Sequence, residues 1–265
     1  MARVRTTTFQ KRKEQGEKIP VLTAYDFPTA RLMDECGVEA ILVGDSVGYT
    51  VQGHEGSLSV TMDTMVYHTE MVSRAVERAM VIGDMPFLSY QISPEEAVRN
   101  AGRLVSEGGA NAVKLEGPAD RFGSAIKAIL NTGIPVMGHI GLTPQSVNQI
   151  GGYKIQGRGE EAARRLMAEA LGLQEAGCFA IVLELVQAEI AREISKTLRI
   201  PTIGIGSGAG CDGQVLVLHD MFNMGLTTSF AKVYYDMRTS MAEAFRAYVS
   251  EVQNGIFPGP EHEFK

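Results

Sequence analysis

The sequence predicts an α/β fold, a (β/α)8 barrel, and three observations carry that expectation. Short apolar runs alternate with helical segments about eight times within some 250 residues, which is the rhythm of a parallel barrel. Five of those runs end in an acidic or basic residue, and no linker or composition shift divides the chain, so residues 1–265 read as a single barrel domain with a short N-terminal helix. The runs are Ala40-Ile-Leu-Val-Gly before Asp45, Met80-Val-Ile-Gly before Asp84, Ala112-Val before Lys114 with Glu116, Ile134-Pro-Val-Met-Gly before His139, and Ala180-Ile-Val-Leu before Glu184. Continuous apolar runs of this length are buried parallel strands.

Taken in order, residues 6–18 form a polar helix candidate, 19–23 a first strand and 28–36 a helix. Ser93-Pro94-Glu95-Glu96 starts a helix: Ser caps, Pro sits where no N–H is needed, and Glu96 completes a capping box. Gly108-Gly109 ends it. Thr143-Pro144 resembles a second start, and 160–176 is amphipathic and stopped by Gly177. Residues 201–205 and 215–218 supply the last two strands. The stretch 141–159 is glycine-rich, polar and long, as binding loops are.

The competing architecture is an open doubly wound sheet. Strands lie about 4.8 Å apart, so five strand ends in an open sheet would spread over about 20 Å, whereas a barrel turns them toward one axis. A single site using all five favours the barrel.

Composition narrows the function. With 45% hydrophobic and 21% charged residues and a net charge of −6, the chain is an ordinary globular protein with no basic patch for nucleic acid or an anionic membrane. No apolar run reaches transmembrane length. The cluster Lys11-Arg12-Lys13 lies beside Glu14 and Glu17 without an apolar segment, so a signal peptide is not expected and the compartment is read as cytoplasmic. Cys36, Cys178 and Cys211 are odd in number and far apart, which points to reduced structural thiols.

Asp45, Asp84 and Glu116 follow neighbouring strands, so three carboxylates face one volume and call for a cation. An all-oxygen set suits Mg²⁺. Lys114 and Glu116 are two apart and share a strand face, either as a structural ion pair or with Lys114 meeting a substrate carboxylate. His139 is either a core histidine or a substrate hydrogen-bonder. Glu184, remote in sequence from the acidic trio, is the candidate general base, the alternative being a salt bridge to Arg158 or Arg192. Gly204-Ile-Gly206-Ser-Gly208-Ala-Gly210 follows the seventh strand rather than the first, so close backbone packing is expected there instead of a dinucleotide site.

At these residues the chain resembles the ketopantoate hydroxymethyltransferases almost end to end. The resemblance rests on Leu22-Thr-Ala-Tyr-Asp26, Val43-Gly-Asp-Ser46, Val51-Gln-Gly-His54, Tyr67-His-Thr69, Val113-Lys-Leu-Glu-Gly117 and Gly138-His-Ile-Gly-Leu-Thr-Pro-Gln-Ser146. It continues through Gly151-Gly-Tyr-Lys154, Gln156-Gly-Arg-Gly159, Val182-Leu-Glu184, Asp212-Gly-Gln214 and Glu261-His-Glu-Phe264, departing modestly at Ser207, Ala209, Gly210 and Cys211. It implies a barrel of the phosphoenolpyruvate/pyruvate type, a homodecamer of two pentamers, and the first committed step of pantothenate and coenzyme A biosynthesis. The implied substrates are 3-methyl-2-oxobutanoate and 5,10-methylenetetrahydrofolate. Asp45, Asp84 and Glu116 fall on the family's Mg²⁺ positions, Ser46 and Lys114 on its oxo-acid contacts, and Glu184 on its proton acceptor.

Three other readings stand beside this one. They are a Schiff-base aldolase with Lys114 as nucleophile, another Mg²⁺-dependent lyase or mutase of 2-oxo acids, and a ring-forming ligand-binding barrel without turnover.

Overall fold

The computed structural model describes residues 2–225 and 228–264. Eight parallel strands, β1 (Ile19–Thr23), β2 (Ala40–Val43), β3 (Met80–Asp84), β4 (Ala112–Lys114), β5 (Val136–Gly141), β6 (Ala180–Glu184), β7 (Thr202–Ile205) and β8 (Gly213–Leu216), are ordered around a closed barrel. β1 pairs with β8 from Ile19 opposite Gly213 to Leu22 opposite Leu216, which closes the ring. Every residue of β2, β3, β4 and β7 is buried. That is why these strands read as unbroken apolar runs rather than alternating ones: helices cover one face and the barrel interior the other.

The outer helices form where caps and apolar spacing direct them. Ser93 Oγ accepts from Glu96 N–H at 3.2 Å and Pro94 opens the helix Pro94–Ser106, as the sequence predicts. Its buried face is Ala97, Asn100, Ala101 and Leu104. The helix Glu160–Ala176 has the expected bounds, and Gly177 ends it at φ 103. The N-terminal helix is shorter than expected, Thr6–Gln15, because Gly16 turns left-handed at φ 68. It plugs one end of the barrel: fully buried Phe9 meets Phe179 edge to face at 5.6 Å, and Lys13 Nζ reaches Asp212 Oδ2 and the Ser195 carbonyl, both at 2.7 Å.

Two strands, β5 and β8, differ most from their expected bounds. β5 runs from Val136 to Gly141, so His139 lies inside the strand instead of after it. β8 begins at Gly213, two residues early, where a Cβ would stand 2.4 Å from the Ile19 carbonyl oxygen. The glycines after β7 pack as expected against a neighbour. A Cβ on Gly208 would lie 2.7 Å from Ala188 Cβ, and one on Gly210 2.7 Å from Arg192 Cβ, both in the helix Ala188–Thr197.

Where the sequence reading runs one barrel domain through residues 1–265, the chain groups into two compact units, residues 1–217 with the whole barrel and residues 218–265. The second unit contains the helix Met237–Gln253, capped by Asp236, which accepts from Thr239 N–H at 3.2 Å. Phe245, Tyr248, Val249 and Val252 share one face of that helix at helical spacing, and all four are exposed. Among the described residues no helix is long and apolar enough to cross a membrane.

Candidate active site

The C-terminal ends of the strands bring the predicted residues together. Asp84 and Lys114 are the last residues of β3 and β4, which pair in register at that point, and Glu184 is the last of β6. Asp45 and Ser46 follow β2, and Glu116 lies two residues past β4. Lys114 Nζ donates to Asp84 Oδ1 at 2.8 Å and Oδ2 at 2.9 Å, and lies 3.5 Å from Glu116 Oε1. The ion pair anticipated between Lys114 and Glu116 is therefore secondary to one with Asp84. His139 stands between two acids, Nδ1 3.5 Å from Glu116 Oε1 and Nε2 3.4 Å from Glu184 Oε2. Glu184 takes His139 as its partner rather than Arg158 or Arg192. All but Glu184 are buried, and Glu184 keeps 16% of its side chain open to solvent.

Three polar side chains that charge patterning did not single out hold the cluster. Gln145 Nε2 donates to Asp45 Oδ2 at 2.9 Å and to the Met85 carbonyl at 3.0 Å, while its backbone N–H donates to Glu116 Oε2 at 3.0 Å. Tyr90 Oη accepts from Glu116 N–H at 3.1 Å and lies within donating distance of Gln145 Oε1 at 2.8 Å. Tyr25 Oη lies 2.7 Å from Ser46 Oγ and 2.9 Å from Thr23 Oγ1. Gln145 and Tyr25 fall inside motifs quoted for the resemblance, which is the signal that could have found them. Tyr90 had none.

Burial and mutual repulsion dominate the electrostatics. Burial, then the charges of Asp84 and Glu116, push Asp45 up to about 8. Asp84 is raised by burial against the pull of Lys114. Burial also works to raise Glu116, but Lys114 and His139 outweigh it and hold that carboxyl below its ordinary value. For Lys114 burial opposes the charge, yet Asp84, Glu116 and Asp45 together raise it. His139 reaches about 9, because Glu116 and Glu184 overcome burial and the repulsion of Lys114.

Four carboxyl groups, Asp45, Asp84, Glu116 and Glu184, gather around two cationic side chains, Lys114 and His139, which leaves more acid than base in the cluster. The remaining donors are hard oxygens, which fit a small divalent cation. Among the described residues no three Asp, Glu, His or Cys side chains are arranged to hold a metal ion by themselves.

The model of the family described as ketopantoate hydroxymethyltransferase matches residues 3–260. The chain belongs to the ketopantoate hydroxymethyltransferase family. It is 56% identical over 261 residues to the 3-methyl-2-oxobutanoate hydroxymethyltransferase of Clostridium novyi (strain NT), covering 98% of this chain and 94% of that protein. The counterpart from Geobacter sulfurreducens (strain ATCC 51573 / DSM 12127 / PCA) is 54% identical, with 96% of each covered. Among solved structures, 2,3-dimethylmalate lyase, a PEP mutase/isocitrate lyase superfamily member, shares the barrel at a TM-score of 0.61 and 19% identity, over 98% of this chain and 91% of that one.

In this member of the ketopantoate hydroxymethyltransferase family, the backbone around Glu184 is tightly set. A Cβ on Gly141, at φ 94, would stand 2.3 Å from the Glu184 carbonyl oxygen and 2.7 Å from Val186 Cγ2. Leu142 N–H donates to that same carbonyl at 2.8 Å. Leu185 adopts φ 48, an uncommon conformation for a branched residue, and turns the chain directly after the acid.

Proposed function

We propose that the chain is a hydroxymethyltransferase that converts 3-methyl-2-oxobutanoate, 5,10-methylenetetrahydrofolate and water to 2-dehydropantoate and tetrahydrofolate, the first committed step of pantothenate and coenzyme A biosynthesis. Relatives at 54–56% identity carry the corresponding name over nearly the whole chain. The observation that carries the reading in this chain is the row Asp84, Lys114, Glu116, His139 and Glu184, linked at 2.8 to 3.5 Å and buried in all but its last member. It puts charged binding groups at one end and a partly open carboxylate at the other.

Asp45, Asp84 and Glu116 would hold a divalent cation, Mg²⁺ by donor type, which when bound supplies a Lewis acid for the substrate's 2-oxo group. Lys114 and Ser46 receive the substrate carboxylate, with Tyr25 orienting Ser46. His139, set between Glu116 and Glu184, orients Glu184 rather than reaching the substrate itself. Glu184 removes the C3 proton. Water first opens the methylene-folate to tetrahydrofolate and formaldehyde, because C3 becomes quaternary once alkylated and no later elimination of folate is open to it. The C3 electron pair then forms the bond to the formaldehyde carbon, and the proton held by Glu184 passes to the new alkoxide. Atoms balance with one water consumed.

Lys114 argues against the Schiff-base alternative. It donates to both oxygens of Asp84 and its charge is stabilised, so no free amine lone pair is presented. The exposed stripe Phe245, Tyr248, Val249 and Val252 supports a homo-oligomer, which we take to be the decamer of two pentamers, working in the cytoplasm.

The test is a proton NMR time course of 3-methyl-2-oxobutanoate in D₂O, with and without Mg²⁺ and methylene-folate, on the parent protein and Glu184→Gln. Mg²⁺-dependent loss of the C3 proton, with ketopantoate formed only when folate is present, is expected. E184Q should slow both by about 10²- to 10⁴-fold. Parent protein that exchanges no C3 proton would overturn the reading, and exchange of another 2-oxo acid in preference would favour a lyase or mutase.

A further inference from the structure

The loop from β5 to the helix Glu160–Ala176 carries an aromatic ring that the cluster does not use. Tyr153 is 61% exposed and follows Gly151 and Gly152, both left-handed at φ 77 and φ 106. Three residues later the chain is stitched to the segment just after Glu184. Gln156 N–H donates to the Leu185 carbonyl at 2.7 Å and Gln187 N–H to the Gln156 carbonyl at 3.0 Å, a parallel bridge opposite Val186. That stitch holds Tyr153 at the mouth of the barrel on the Glu184 side. Burial, then the charges of Glu184, Asp45 and Glu116, raise its phenol, so the hydroxyl senses the acidic floor while the ring stays open. Among the described residues no other ring stacks on it.

The floor is filled by Asp45, Asp84, Lys114 and Glu116, so a second substrate enters only from the mouth. On the functional reading above, that substrate carries its one-carbon unit on a planar heteroaromatic ring system. We propose that the exposed ring of Tyr153 stacks on the heteroaromatic ring of the one-carbon donor and positions it over Glu184. Aromatic faces bind planar heterocycles of varied substitution by this contact. Nearness to Glu184 sets the donor's reactive carbon beside the carbon that Glu184 deprotonates.

The experiment measures two quantities in the full-length protein with Mg²⁺: the KM for 5,10-methylenetetrahydrofolate, and the rate of C3 proton exchange with oxo acid alone. Tyr153→Ala should raise the folate KM by about ten- to a hundredfold while exchange keeps the parent rate. Tyr153→Phe should restore the parent KM, since the ring and not the hydroxyl makes the contact. An unchanged folate KM in Y153A overturns the proposal, as does a Y153F variant as impaired as Y153A. Loss of exchange together with folate affinity in Y153A also overturns it, because the residue would then support the loop or a contact between copies. Absence of exchange in the parent protein is a different failure, that of the functional reading itself.

Discussion

Lys114 holds both carboxylate oxygens of Asp84, at 2.8 and 2.9 Å, with each side chain almost wholly out of water. Removing one partner of a buried pair strands the other, at a cost of about 3–5 kcal/mol. Lys114→Ala should therefore lower the melting temperature by roughly 10 °C in chelator-treated protein. Added Mg²⁺ should recover part of that loss, since it restores positive charge beside Asp84, while oxo-acid binding stays lost. Thermal melts with and without Mg²⁺, paired with calorimetric titration of the oxo acid, check both. A melting temperature indifferent to the substitution would contradict the pairing.

Gln145 spends both amide hydrogens inside the cluster, on Asp45 and on the Met85 carbonyl. Gln145→Ala should cost about 1–3 kcal/mol for the buried acceptors it leaves short. It also withdraws a contact that favours the ionised form of Asp45, so divalent-cation binding should move to higher pH. Denaturant titration reads the first effect, and Mg²⁺ titration over a pH series reads the second.

The two raised groups set a pH window. Asp45, at about 8 against 3.8 when free, keeps a proton in the folded state that the unfolded chain releases, so its share of stability falls as pH rises from about 4 to 8. His139, at about 9 against 6.5, contributes stability that is whole below 6.5 and lost as pH rises through about 9. Metal-free protein should accordingly lose stability as pH rises from about 4 to 9, with both groups acting together between 6.5 and 8. Cation binding must displace the Asp45 proton, so the apparent Kd should fall about tenfold per pH unit up to about 8 and then level off. Melting curves in chelator against excess Mg²⁺ show the first, and titrations at pH 6, 7 and 8 the second.

Gly141→Ala tests the seat of the base. The new methyl group meets the Glu184 carbonyl at 2.3 Å in a left-handed conformation, and neither can yield without shifting the other. A displacement near 1 Å is enough for about a hundredfold loss of C3 exchange. Asp45 follows β2 and Asp84 ends β3, both away from β5, so Mg²⁺ affinity should be unchanged. Exchange at the parent rate would mean that Glu184 does not act from this backbone position.

How legible all this was in the chain depended on the kind of signal. The barrel was written in period and punctuation: β1 and the helix Glu160–Ala176 have the bounds that their apolar spacing and the Gly177 stop predict. Charged residues ending apolar runs were readable for the same reason, since a charge interrupts a buried strand only where something answers it. The bounds of β5 and β8 are not legible from apolar content, because the apolar run and the paired ladder start at different residues. Pro135 stands before the ladder, while Gly213 enters it, where a side chain would strike Ile19. Tyr90 was missed because an uncharged residue in a turn has no periodicity. Its contacts, with Glu116 and Gln145, exist only once β3, β4 and β5 lie side by side. That Lys114 prefers Asp84 over Glu116 was likewise a property of register, which no spacing along one strand contains.

The pairing of β1 with β8 has a consequence for biogenesis. At about 5–20 residues per second, roughly ten to forty seconds pass between the first strand's emergence and the last strand's synthesis. Throughout that interval the growing sheet has two unpaired edges of apolar strands, and Phe9 has no Phe179 to meet until most of the chain exists. Until β8 is made, the edge of β1 has no partner and stays open to other chains, so a helper that shields strand edges on the ribosome should raise the yield of folded protein.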